Sequence, residues 1–210
     1  MKYSDSQKYL KIWIDILTPK QLLFSEPIIE KLGAKHELLC TSREYEEVSK
    51  LSKIRHFDLI FVGKHGGGNK KTKLDASIER INKLSKKIEK FKPDLVISFG
   101  SPEAARISFG LGIKHIMFCD SPHANAVMRL TLPLIQKLLI PYIIPKKEFS
   151  KYGISEKNIV QYKAIDAVVT MKRETNEKIA SPFKNNNKKN ILIRVEEEEA
   201  AYTSKSSKII

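Results

Sequence analysis

The sequence predicts an α/β protein in which a mostly parallel sheet is flanked on both faces by helices. Three observations carry this. Short apolar runs recur between Lys11 and Gln161. Most are followed by a segment whose apolar residues are spaced by three and four, and Gly, Pro, Ser and Asp gather at the joints. Strands alternating with helices at this spacing require right-handed crossovers between parallel neighbours.

Lys11–Leu17 reads as the first strand, followed by a helix from Lys20 to Leu32. Glu37–Thr41 is a second strand, with a helix over Arg43–Lys53. Asp58–Val62 is the third, ending in a glycine-rich loop. From Thr72 to Phe91 the residues Leu74, Ile78, Ile81, Leu84, Ile88 and Phe91 form one stripe of a long helix. Asp94–Phe99 is the fourth strand, with a short helix over Pro102–Leu111. Lys114–Cys119 is the fifth, with a helix over Ala124–Leu132. Lys137–Ile140 and Asn158–Gln161 are two further short strands.

The composition of the 210 residues, 41% of them hydrophobic, supports a buried core. The formal charge is +14, yet only seven of the 38 basic residues are arginine, the residue suited to bidentate base and phosphate contacts. Spread-out lysine therefore reads as solvated faces first, an anionic membrane surface second and nucleic acid last. Cys40 and Cys119 match neither a zinc site nor a disulfide framework and read as buried free thiols of a reducing cytoplasm. No metal and no cofactor is expected. Met1–Leu17 lacks a signal-peptide pattern, and Leu130–Pro145 is too broken by Gln136, Lys137 and prolines to span a bilayer.

The composition changes near residue 180. Residues 11–180 read as one lobe, 181–190 as a polar linker, and 191–210 as the start of a truncated second lobe, opened by the strand Ile191–Val195.

In an open parallel sheet, ligands bind outside the carboxyl ends of the strands. The loops to read are therefore Asp15–Pro19, Gly63–Asn69, Gly100–Glu103 and Asp120–Asn125. Thr18-Pro19, Ser101-Pro102 and Ser121-Pro122 each resemble an N-cap followed by a first-turn proline. Capping explains these residue types. Three helix N-termini opening on one rim would also favour an anion or a polar sugar. Gly63–Asn69 is neither a Walker A loop nor a dinucleotide fingerprint, and its glycines read either as a ligand cradle or as a flexible connector. His123 is a candidate general base, and Asp15, His65 and Asp120 gather with it on the same edge. His36, His56 and His115 fall on the opposite edge and receive no role.

The W-I-D start with T-P shortly after it, G-K-H-G-G, F-K-P-D, D-x-x-H-A-N and the following Arg129-Leu130 and Pro133-Leu134 resemble the family called domain of unknown function 354. The resemblance runs from about Lys11 to Val160, with a weaker trace at Arg194 and Glu196–Tyr202. It implies a Rossmann-like N-terminal lobe of a glycosyltransferase-B-type fold, similar to UDP-N-acetylglucosamine 2-epimerases and lipid-carrier N-acetylglucosaminyl transferases. In that architecture the second lobe holds most of the nucleotide and the first shapes the acceptor side. The expected catalytic residues are His123, Asp15, Asp120 and His65. The substrate-binding set is Thr18, Lys64, Gly66, Gly67, Gly68, Ser101, Ser121, Asn125 and Arg129. The implied partners are a sugar or polyol acceptor and, with a second lobe, a nucleotide sugar. The alternatives are a non-catalytic basic module for an anionic polymer or membrane surface, using Lys83, Lys86, Lys87 and Lys90, and an inactive truncated remnant.

Overall fold

Strand β1 (Lys11–Ile16) alternates strictly, turning Ile12, Ile14 and Ile16 to one face and Trp13 and Asp15 to the other. That alternation organises the whole fold, which a computed structural model describes for residues 8–171 and singly for Lys189, Ile191 and Ile193. Apart from those three residues, the linker and second-lobe strand expected after residue 180 lie outside the described residues.

Among the described residues, seven strands form one parallel sheet in the order β3-β2-β1-β4-β5-β6-β7. The others are β2 (Glu37–Glu44), β3 (Ile60–Lys64), β4 (Leu95–Phe99), β5 (Lys114–Phe118), β6 (Lys137–Pro141) and β7 (Ile159–Tyr162). The seven strands expected between residues 11 and 161 are all present. Strands β6 and β7 extend the sheet beyond β5, with Met117 opposite Leu138 and Leu138 opposite Ile159. The chain winds outward from β1 to β3, then returns to place β4 on the other side of β1. A crevice therefore opens between the ends of β1 and β4, where the direction of winding reverses.

Helices α1 (Pro19–Gly33) and α2 (Glu46–Ile54) cover the face bearing Ile12, Ile14 and Ile16, burying Leu22 and Val48 there. Helices α3 (Lys70–Phe91) and α4 (Pro102–Gly110) cover the other, packing Leu84, Ile88, Ala104 and Ile107 on Trp13 and Val96. A third cluster joins Met117, Leu138 and Ile159 of β5–β7 to α5 (Asn125–Thr131), through Met128, and to Phe149 of the short α6 (Lys147–Ser150). Helix α7 (Ala167–Met171) follows β7. Neither α6 nor α7 was expected, since four- and five-residue helices are too short for periodicity to register.

The apolar stripe of α3 is only half used. Leu84 and Ile88 are buried, but Leu74 and Ile78 are more than half exposed. A 22-residue helix is about 33 Å long, whereas its five-residue neighbours span roughly 17 Å, so the first turns of α3 overhang the sheet. Among the described residues no helix is long and apolar enough to cross a membrane.

Candidate functional site

Because every strand is parallel, the loops after β1, β3, β4 and β5 emerge on one rim. The four polar segments expected to converge do share that rim. They do not form a single cluster, because β3 and β5 lie four strand spacings apart, roughly 19 Å. His65 thus stands at one end of the rim, with Asp120 and His123 toward the other.

At the centre Asp15 is sealed under the rim. Its carboxylate accepts two bonds from the Arg80 guanidinium, Nη1 at 3.1 Å and Nη2 at 2.6 Å. It also accepts from the hydroxyls of Thr41 at 2.6 Å and Ser101 at 2.7 Å. Four donors fill its acceptor positions, and the residue is 1% exposed. Burial alone would raise this carboxyl; Arg80 and the hydroxyl bonds overcome it and hold it below its ordinary value. Asp15 is thus closed off beneath the rim and ties the loops after β1 and β4 together. The Ser101 hydroxyl donates to Asp15, accepts from the Ala104 amide as the N-cap of α4, and is closed to solvent.

Arg80 was missed. Its Nε also donates to the Val62 carbonyl at 3.0 Å, tying α3 to the end of β3. The signal was available, since this arginine, rare in a lysine-rich chain, stands four residues before the buried Leu84.

The glycine loop owes much of its composition to this packing. Gly63 has φ +72°, and a Cβ there would meet the Arg80 side chain at 3.0 Å. A Cβ on Gly66 would lie 2.5 Å from Lys73 Cα, where the loop folds onto the start of α3. Thr72 Oγ1 bonds the Gly66 carbonyl, and Asn69 caps the helix. Gly66→Ala should destabilise the protein by about 1–3 kcal/mol through this overlap. An unchanged melting temperature would show that the loop moves freely away from the helix. His65 is half-buried and lies against Tyr45, with ring centroids 5.4 Å apart. Its Nδ1 accepts from the Gly67 amide at 3.1 Å, which leaves Nε2 as the protonated nitrogen of the neutral ring. Lys64 and Gly68 are exposed, and Gly67 is half-exposed.

On the other side Thr18 caps α1, its hydroxyl accepting from the Gln21 amide at 3.3 Å. The Ser121-Pro122 pair departs from expectation. Helix α5 begins only at Asn125, without a side-chain cap, and the Ser121 hydroxyl bonds Asp120 Oδ1 instead. His123, in the intervening turn, is exposed, as are Asn125 and Arg129. The Asn125 amide oxygen accepts from the Tyr152 hydroxyl, which also bonds the Pro122 carbonyl. The rim thus has two capped helix N-termini from Ser/Thr-Pro pairs, not three.

Lys20, in the first turn of α1, bridges two carboxylates. Its ammonium bonds Asp120 after β5 and lies 3.6 Å from Asp166 Oδ2 after β7, over the Phe99 ring. Burial opposes ionisation of Asp120, but bonds from Lys20 and Ser121 hold its carboxyl low. Asp166 is raised, first by burial and then by Asp120 against the relief of a Tyr162 bond. These groups face a cavity of about 670 Å³ walled by Phe24, Pro141, Ile143, Ile144, Ile165, Ala167 and Met171. Lys20 and Asp166 were missed because only the β5–β6–β7 extension brings loops 46 residues apart onto α1. No group of three His, Cys, Asp or Glu side chains suited to a metal occurs among the described residues.

An uncharacterised protein of Methanocaldococcus jannaschii is 32% identical over 145 residues, covering 69% of this chain and 42% of that protein. The fold is similar to UDP-GlcNAc 2-epimerases. The Methanocaldococcus jannaschii enzyme has a TM-score of 0.62 at 18% identity, covering 77% of this chain and 47% of that one. The Neisseria meningitidis enzyme, bound to UDP-GlcNAc, matches with a TM-score of 0.62 at 18% identity, covering 77% and 48%. The chain thus spans about half the length, or less, of these relatives. It carries the α/β Rossmann-like sheet that such neighbours share. With the model of the DUF354 proteins of unknown function matching residues 10–209, the chain belongs to that family.

Proposed function

We propose that this chain is the acceptor-side lobe of a nucleotide-sugar-handling protein, which with a second lobe performs glycosyl transfer or epimerisation in a reducing cytoplasm. The observation that carries the reading is the Lys20–Asp120 bridge, which joins the loops after β1 and β5 beside the crevice where the winding of the sheet reverses. In this reading residues 11–180 form the lobe and a second unit begins near residue 191. His123, exposed next to Asp120, takes the proton of an acceptor hydroxyl. His65 Nε2–H, Lys64 and the N-terminus of α1 supply donors for sugar or phosphate oxygens, while Thr18, Asn125 and Arg129 border the same cleft. Asp15 and Ser101 act through the scaffold, holding the loops after β1 and β4 in place. The structural relatives include UDP-GlcNAc 2-epimerases, which supports a ligand of this kind.

Calorimetric titration with UDP-GlcNAc tests the reading, using this chain alone and joined to a second lobe. The two-lobed form should bind, and Asp120→Ala should weaken binding at least tenfold, about 1.4 kcal/mol. Absence of binding in both forms sinks the proposal.

A further inference from the structure

We infer that the cavity beneath Lys20, Asp120 and Asp166 seats a neutral pyranose-type polyol carrying an apolar substituent. The inference rests on the acceptor-side reading above and names the class of acceptor.

The polar floor selects the head group. Lys20 Nζ bonds Asp120 and lies 3.6 Å from Asp166 Oδ2. That oxygen is buried and has no hydrogen-bond partner among the described residues, while Asp166 itself is 8% exposed. A phosphate placed here would face two carboxylates. A lone ammonium would press against Lys20, which already sits between both acids. A hydroxyl both donates and accepts, so vicinal hydroxyls can give a proton to Asp166 Oδ2 and take a bond from Lys20, whose side chain is half exposed. A donor aimed at Oδ2 also gives a hydrogen bond to a buried carboxylate oxygen that has only the Lys20 ion pair.

The walls select the rest of the ligand. Phe24 presents an apolar surface for the C–H face of a ring, while Ile143 and Met171 are 65% and 80% exposed at the mouth. Small-molecule sites occupy roughly 300–1,000 Å³, and about 670 Å³ exceeds what a bare pyranose fills. An N-acyl group or alkyl aglycone fills the apolar remainder.

The test uses hexyl β-D-glucopyranoside, glucose, hexanol and hexyl phosphate as probes, followed by calorimetry and by backbone amide shifts of the whole chain. Hexyl glucoside should bind at least tenfold more tightly than glucose, hexanol or hexyl phosphate. Its shifts should centre on Lys20, Asp120 and Asp166. Lys20→Met and Asp166→Asn should each weaken it at least fivefold, with the amide shifts away from this cavity unchanged. Equal binding of hexanol, preference for hexyl phosphate, or indifference to both substitutions overturns the inference. Titration of the two-lobed form with UDP-GlcNAc separates the two proposals. Nucleotide-sugar binding without hexyl glucoside binding sinks only this one, and hexyl glucoside binding without nucleotide-sugar binding sinks only the broader reading.

Discussion

Arg80→Met should destabilise the protein by about 3–5 kcal/mol, the penalty for leaving a buried charge without its partner. Asp15 would remain 1% exposed with its two hydroxyl donors but without the bidentate guanidinium that dominates its surroundings. At 2–4 °C per kcal/mol for a chain of this size, the melting temperature should fall by roughly 10 °C. The pH response should also change sign. In the parent protein the Asp15 carboxyl is held below its ordinary value, so its contribution is present above pH 3.8 and lost as pH falls through the lowered value. Without Arg80, burial pushes the same carboxyl up, and that contribution is present at low pH and lost as pH rises. Asp15→Asn combined with Arg80→Met should therefore be more stable at pH 7 than Arg80→Met alone. Urea unfolding at pH 5 and pH 7 measures both effects; a loss below 1 kcal/mol would show that Asp15 finds solvent or another cation.

Acidification should unfold the protein through His115. Its ring lies between Ser98 Oγ at 2.8 Å and Ser108 Oγ at 3.0 Å, fully enclosed at the start of β5. Burial depresses it from 6.5 to about 4, against a weak opposing pull from Asp15. The unfolded chain thus binds the proton between these values, so this contribution is complete above pH 6.5 and falls away toward pH 4. At pH 4 the loss amounts to about 3 kcal/mol. His115→Gln should be less stable than the parent at pH 7, yet show a flatter decline between pH 6.5 and pH 4. Parallel slopes for the two proteins in that window would locate the acid sensitivity elsewhere.

His115 also shows what kind of information the linear pattern lacks. Its place at a strand start was correctly read as the edge opposite the loops, but nothing local shows that Ser98 and Ser108 close over both ring nitrogens. The same holds for Thr18, Ser101 and Ser121, identical in local chemistry. The first two precede long enough apolar periods to cap α1 and α4. The third precedes a turn whose hydroxyl bonds a neighbouring carboxylate. The glycines of residues 63–68 were legible as a special loop, but two of their reasons, the Arg80 side chain and the start of α3, lie 7 to 17 residues further on.

By itself the sequence determined the alternation of strands and helices, and with it the parallel sheet and the rim on which the polar loops stand. Those features follow from periodicity and crossover handedness, which act over a few residues at a time. The tertiary structure alone decided which polar groups are spent inside the protein and which face outward. Asp15 and Ser101 are consumed by Arg80 and by capping, while Lys20, Asp120 and Asp166 meet at a cavity. The reason is physical: burial and charge pairing depend on neighbours brought from far along the chain, 65 residues for Asp15 and Arg80 and 100 for Lys20 and Asp120, and such distances leave no periodic trace.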